Sequence, residues 1–479
     1  MRVLIVTAWY HPFIHPRAHR WTSIAEHWAA HGHEVHVVCA RRGDCPDESV
    51  QNGVQVHRTG FDSLKEVAYF LLGTTTGRGR TGAGIQQTGR AGRAAMWLYR
   101  IFWKNIYFPD DACLWYFPAR RKVRALLNSL PFDAVVSVSL PFTGHLVGRA
   151  AKQQKTGIRW LADIGDPFTI QPKPLNNALL YGRISRRLER KVLEKADAAV
   201  VTNAGAARAY REQFGVLAEK LQVVPPVWQP HPQPLPVRRG GLDRENRENF
   251  VVESQSTLSR NQPTARDVPP SPPGEGLGVG FFGALYAPTR TPDAFLDLLE
   301  KTYAMRPELR DRLTVHFYGD VFPEFQEKLN RAPGVRLHGL RSREDVQVAM
   351  QHMHVLVNIG NTTEYQLPSK IVDYLAAGKP VLHLSYVAQD PFLDFWGDTP
   401  GLLTLRVRQG RISKADIPRW LAFLQAEHPK PSDTECMERV RNFTVSTVAE
   451  AYEALLFPPE HPGSTPGTAV APPCPKTPE

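Results

Sequence analysis

The chain has 479 residues, with 58 Lys and Arg against 47 Asp and Glu, a formal net charge of +11. Hydrophobic residues make up 42% and aromatics 10%, enough to build cores, which excludes wholesale disorder and the collagen-like, coiled-coil and mini-protein classes. No run of about 18 apolar residues occurs, so no transmembrane helix is expected, and five scattered cysteines without a CxxC pair exclude a disulfide framework or zinc ribbon and fit a reducing cytoplasm.

In chain order, RVLIVTA is a continuous apolar run suited to a buried parallel strand, without the long apolar region and cleavage site of a signal peptide. Residues 17–31 follow as a helix, with Trp21, Ile24, Ala25 and Trp28 at helical spacing and Gly32 as the stop; EVHVVCA is the next strand. Residues 71–95 are rich in Gly, Thr and Arg with no acid, a low-complexity insert. AMWLYRIFWKNIYF, residues 95–108, is aromatic and basic; it is either a core helix or a surface for a membrane interface. DAVVSVSL, IRWLADI and DAAVVTNA are strands separated by helical stretches. Residues 232–278 hold eight Pro and five Gly, too little apolar area to offset chain entropy, and are predicted to be a disordered linker. Beyond it GVGFFGAL, LTVHFYGD, VRLHG, VLVNIG and PVLHLS alternate with helices, Thr434–Leu456 has helical periodicity, and residues 458–479 form a Pro-rich, disordered tail.

This rhythm predicts an α/β chain with two Rossmann-like domains of parallel sheet facing a cleft, residues 1–231 and 279–433, followed by a helix over 434–457. The charge divides unevenly, +14 on residues 1–231, zero on 232–278 and −3 on the remainder. The first domain therefore carries the whole basic excess. No zinc-finger spacing or RNP-like aromatic motif accompanies it, so no nucleic-acid partner is expected, and an anionic membrane surface is the alternative.

Two segments can carry chemistry. In VGFFGALYAPTRTPDAFLDLL, residues 279–299, a strand ends at Gly283, a loop carries Arg290, and a helix begins near Thr291, the expected N-cap, and Pro292. Such a strand-loop-helix suits a phosphate, to which Arg290 adds a bidentate fork; otherwise it is an ordinary loop with a solvated Arg. In NIGNTTEYQLPSKIVDYLAAGKPVLHLS, residues 358–385, a polar loop carries Glu364 and a helix carries Ser369, Lys370 and Asp373, with Gly378 as its C-cap. Asp373 suits the two hydroxyls of a ribose and Lys370 a diphosphate; otherwise they are a solvated ion pair three residues apart. His11, His15 and His19 have metal-ligand spacing, but Pro12 and Pro16 break the helix that would align them, and no metal is expected.

DYLAAGKPV and GALYAPTRTP resemble the donor site and donor-phosphate loop of retaining family 4 glycosyltransferases of GT-B fold. HGHEVHVV, PFDAVVSVSLPFTGHLVG with RWLADIGDPFT, and VRLHGLRSREDVQVAMQHMHVLVNIG are similar to the same family's other core segments, so the likeness spans roughly residues 1–228 and 279–457. The resemblance implies a transferase that takes a sugar from a nucleotide-sugar co-substrate and passes it to a glycan or lipid-linked acceptor with retention, without cofactor or metal, for cell-surface polysaccharide or glycoconjugate synthesis. It implies donor contacts from Gly283, Ser369, Arg290, Lys370 and Asp373, with Glu364 beside the transferred sugar, Asp166 orienting the acceptor hydroxyl, and Arg20 touching acceptor or diphosphate. It further implies that the last helix packs back on the first domain. The chain departs from the family pattern where Tyr365 replaces the first acid, leaving Glu364 one place off, where Asp373 stands for Glu, where Ala284 stands for an Arg, and where Asp163 and Asp166 stand in place of an acceptor-side His. Those departures keep two alternatives open: a weakened GT-B protein that binds glycan or partner, and a GT-B nucleotide-sugar epimerase. A Rossmann dehydrogenase is the least favoured alternative because neither half opens with G-x-G-x-x-G.

Overall fold

The computed structural model describes residues 1–13, 15–42, 45–64, 66–67, 103–171, 174–228, 276–368 and 370–458. The predicted insert at 71–95, most of the linker predicted at 232–278, nearly all of the predicted tail, most of the aromatic stretch 95–108, and Ser369 lie outside these residues.

β1 (Arg2–Val6), β2 (Glu34–Cys39), β3 (Glu48–Gln51), β4 (Val54–Arg58), β5 (Ala134–Val138), β6 (Arg159–Asp163), β7 (Ala198–Val201) and β8 (Leu221–Val223) form one sheet in the order β3-β4-β2-β1-β5-β6-β7-β8. All its pairings are parallel except β3 with β4. β1 after Arg2 and β5 apart from Ser137 are apolar because both faces of the sheet are covered. One face packs α1 (Pro16–Ala30), whose Trp21, Ile24, Ala25 and Trp28 are all buried as their spacing predicts. The other packs α2 (Tyr116–Ser129), α3 (Thr143–Gln154), α4 (Ala178–Lys195) and α5 (Ala204–Phe214) through Trp115, Val123, Val147, Val192 and Tyr210.

The second sheet holds β9 (Leu277–Phe282), β10 (Leu313–Tyr318), β11 (Val335–Gly339), β12 (Val355–Ile359), β13 (Val381–Ser385), β14 (Leu402–Arg408) and β15 (Arg411–Ile412) in the order β11-β10-β9-β12-β13-β14-β15. Only β15 runs antiparallel to its neighbour. α6 (Asp293–Met305) covers one face; α7 (Arg343–His352) and α8 (Ile371–Ala377) cover the other.

The stretch predicted as one helix over Thr434–Leu456 is two, α9 (Asp433–Val440) and α10 (Val445–Leu456). The break falls at Arg441–Phe443, and the Thr444 side chain caps the new start by accepting from the Thr447 N–H. α9 stays with the second domain, packing on α8, whereas α10 crosses to the first, where Val448, Tyr452 and Leu456 join the core of Trp21 and Trp28. Beside the break Trp228 N–H donates to the Phe443 carbonyl at 2.6 Å and forms a β-bridge with Thr444. The end of the first domain and the return to it therefore run side by side.

Candidate active site between the two domains

In the second sheet the chain order reverses between β9 and β12, so the connections leaving these strands part in opposite directions and open a crevice at their carboxyl ends. Gly283 and Arg290 lie on the loop after β9, and Asn361 on the loop after β12. Arg290 crosses the gap, its Nη2 and Nε donating to Asn361 Oδ1 at 2.7 and 3.2 Å. The Thr362 N–H donates to the Thr289 carbonyl at 3.1 Å and ties the same loops again. Burial lowers the Arg290 pKa, yet a guanidinium stays charged at any ordinary pH. A Cβ on Gly283 would lie 3.4 Å from Arg290 Nη1, so the glycine leaves room beside the cation. Helix α6 begins at Asp293, with Pro292 rather than Thr291 as N-cap and no side-chain capping bond, one residue later than expected.

Lys370 and Asp373 meet at 3.3 Å as their spacing predicts. Lys370 is the N-cap of α8 rather than a residue inside it, and Gly378 ends the helix with φ of 62°. On its other side the Asp373 carboxylate meets Arg343, 3.4 Å away at the first turn of α7. Arg343 also donates to His19 Nε2 from α1, so this carboxylate group is joined to the first domain. Burial, helped by Arg343, pushes the His19 imidazole down to about 4, which keeps it neutral and able to accept that bond. Burial holds His15 at about 3 and His145 at about 4. An unfolded chain would protonate these rings near 6.5, so between that pH and their folded values the unfolded state binds more protons and stability falls as pH falls. Urea midpoints are expected to drop progressively from pH 7 to pH 4; a flat profile would contradict the burial of these rings.

The three histidines of the early motif part ways. His19 faces Arg343, while His15 caps α1 by accepting from the Arg17 N–H at 3.2 Å and packs on Trp9 with ring centres 4.1 Å apart. Among the described residues no group of three His, Cys, Asp or Glu is placed to hold a metal ion.

Asp166 sits on the loop after β6 and accepts from Gln366 Nε2 across the cleft at 3.4 Å. Asn203 donates to the Tyr365 carbonyl at 3.0 Å, and Gly205 backs so closely on Glu364 that a Cβ there would come 2.0 Å from its carbonyl oxygen. Glu364 itself is exposed, and its carboxylate accepts from the Gln389 N–H at 3.1 Å on the loop after β13. The structure thus brings Gly283, Arg290, Lys370, Asp373, Glu364 and Asp166 to the facing rims of the two sheets.

Arg20 is not among them. It is 5% exposed, and its guanidinium donates to the Val224 carbonyl at 3.1 Å, the Pro225 carbonyl at 2.5 Å and the Tyr452 hydroxyl at 2.8 Å. The acceptor or diphosphate contact expected of it is therefore replaced by a structural one that fastens α10 to the first domain. The cleft cation on α1 is Arg17, whose guanidinium lies over Gly165 and pairs with Asp163 at 3.0 Å. Sequence reasoning missed Arg17, His19, Arg343, Asn361 and Gln366 as members of the site. Arg343 had a visible signal, since Ser342 caps α7 with Asp345 at the third position, a pattern that places a helix start at the cleft.

Residues 18–227 match the glycosyl transferase 4-like domain. No curated protein sequence matches the chain. Among solved structures it is similar to a sucrose-phosphate synthase from Thermosynechococcus elongatus, 14% identical with a TM-score of 0.56, covering 95% of this chain and 98% of that one. It is likewise similar to the catalytic domain of starch synthase IV from Arabidopsis thaliana bound to ADP and acarbose, 12% identical with a TM-score of 0.54, covering 95% and 98%. An Anabaena protein, HepE, in complex with UDP and glucose is 12% identical with a TM-score of 0.51, covering 95% and 99%. Residues 18–227 therefore form a glycosyl transferase 4-like domain, and the chain that contains them resembles the family 4-type glycosyltransferases and shares their GT-B fold.

Proposed function

We propose that this chain is a glycosyltransferase that takes a sugar from a nucleotide-sugar and moves it to a glycan or lipid-linked acceptor, with retention at the anomeric carbon and without metal. The observation that carries the reading is Arg290 spanning the reversal between β9 and β12, beside a side-chain-free Gly283 and opposite the Asp166 loop.

When the bond between the anomeric carbon and the diphosphate oxygen breaks, negative charge grows on the departing diphosphate. Arg290 and Lys370 stabilise that charge, and stabilising developing charge in a site shielded from water is commonly the largest catalytic contribution. Asp373 accepts the ribose hydroxyls, Glu364 lies by the transferred sugar, and Asp166 orients the acceptor hydroxyl that forms the new bond. Residues 1–231, net basic, take the acceptor side, and the pathway served is cell-surface polysaccharide or glycoconjugate synthesis at the inner face of a membrane.

A thermal-shift panel of nucleoside diphosphates and nucleotide-sugars tests this. A ligand at about 100 times its Kd stabilises the folded state by about 2.7 kcal/mol, which raises the melting temperature. At least one uridine, adenosine or guanosine diphosphate is expected to do so in the wild type and not in Arg290→Ala. No shift with any of them would sink the donor site. A shift with every expected partner but no nucleotide diphosphate release in transfer assays would favour the glycan-binding alternative.

A further inference from the structure

α4 displays an apolar and basic face on the first domain that the transfer chemistry leaves unused. Leu179 is 98% exposed, Leu180 62% and Ile184 49%. Arg183, Arg186, Arg187, Arg190 and Lys191 are exposed on the same helix, and the first exposed acid, Glu194, comes only at its far end. Ile106, 59% exposed, extends the apolar surface, and Phe117, 68% exposed, shows a second apolar point on the same domain. The Tyr181 hydroxyl donates to the Ile106 carbonyl at 2.9 Å, and the Tyr181 and Phe108 rings pack 5.0 Å apart, so Ile106 belongs to the α4 end. Phe117 opens α2, where Arg120, Arg121 and Arg124 are exposed.

The placement follows from topology. α2 and α4 lead into β5 and β7 of a parallel sheet, so each runs against its strands and begins at their carboxyl edge, where the cleft opens. On the inner side of α4, Glu189 is 2% exposed and its carboxylate accepts the N–H groups of Phe168 and Thr169 at 3.1 and 3.2 Å. The helix that shows leucines to solvent is thereby fastened to the loop that carries Asp166.

We propose that the first turns of α4, together with Ile106 and Phe117, dock the first domain on an anionic phospholipid bilayer. Guanidinium groups pair with headgroup phosphates while Leu, Ile and Phe enter the boundary of the acyl chains. Charge complementarity singles out this occupant. A duplex nucleic acid would satisfy the arginines but offers the leucines nothing to enter, and a neutral apolar protein face would bury unpaired arginines at cost. The proposal deepens the transferase reading and rests on it for one point only, that the membrane so reached presents the acceptor.

Cosedimentation of the full chain with phosphatidylglycerol–phosphatidylcholine vesicles tests it, with pure phosphatidylcholine vesicles and duplex DNA as further arms. Wild-type protein is expected to bind the anionic vesicles at low salt and to leave them at high salt. The triple variants Leu179→Ser/Leu180→Ser/Ile184→Ser and Arg183→Glu/Arg186→Glu/Arg187→Glu are each expected to partition at least about tenfold less, since a surface basic residue near an anionic leaflet contributes about a factor of five. Both should keep the wild-type melting temperature. Wild-type partitioning by the serine variant, equal binding to neutral vesicles, or displacement of vesicles by DNA would each overturn the proposal. The nucleotide thermal shift separates the two readings. Vesicle binding without any nucleotide shift removes the donor site alone, and a nucleotide shift without vesicle binding removes the docking surface alone.

Discussion

Asp163→Ala is expected to lower the free energy of unfolding by about 3–5 kcal/mol, the usual cost of breaking a buried ion pair by removing one partner. Its carboxylate is wholly buried and accepts from Arg17 Nη1 at 3.0 Å, Trp21 Nε1 at 2.7 Å and the Tyr452 hydroxyl at 2.7 Å. Removal leaves the partly buried Arg17 guanidinium and the fully buried Trp21 indole N–H without that acceptor. Tyr452 joins this carboxylate to Arg20, so Tyr452→Phe keeps the ring packing and loses the bridge, at about 1–3 kcal/mol. Urea unfolding of both variants decides the matter. A loss below about 1 kcal/mol for Asp163→Ala would mean that Arg17, Trp21 and Tyr452 find other partners.

Arg290→Ala is expected to cut sugar transfer by about 100- to 1000-fold, the scale reached when one donor to a developing negative charge is removed. Asp373→Ala is expected to cut it at least about tenfold, mostly through KM, because a ribose contact binds ground and transition states alike. Neither side chain is in a hydrophobic core, so the melting temperature should stay near that of the wild type. Arg290→Lys restores the charge but not the fork that holds Asn361 Oδ1 with two N–H groups, and should recover only part of the rate. Wild-type rates in Arg290→Ala or Asp373→Ala would remove the donor assignment.

The central strands were legible because buried parallel strands are nearly continuous in apolar residues, as in RVLIV after its Arg2 and in AVVSV apart from Ser137. Gly378 was legible because a left-handed helix end strongly favours glycine. Two edge hairpins were missed although their turns carry a signal: Asn52–Gly53 between β3 and β4 with φ of 45° and 83°, and Gln409–Gly410 between β14 and β15 with φ of 49° and 73°. Arg20 was misread for a different reason. Its helix has solvated charges, and nothing local marks a guanidinium whose hydroxyl partner lies 432 positions away. The Arg290–Asn361 pair was half legible: each residue stood in a quoted motif, but their meeting depends on the order in which β9 and β12 lie in the sheet. The departure at Tyr365 was plain in the sequence, whereas the close backing of Gly205 on the same loop needed the fold.

The side-by-side crossings at Trp228 and Thr444 have a consequence for the order of synthesis. Among the described residues the first domain is assembled from two segments that flank the second sheet in the chain, one ending at Trp228 and the other spanning Val445–Leu456. A ribosome delivers the N-terminus first, so the whole of the second sheet emerges before the strip that seals Trp21, Trp28 and Arg20 from water. A nascent chain halted before Val445 would carry a complete second sheet joined to an unsealed first domain. The 12-residue helix α10 closes the first domain only after the second sheet has emerged.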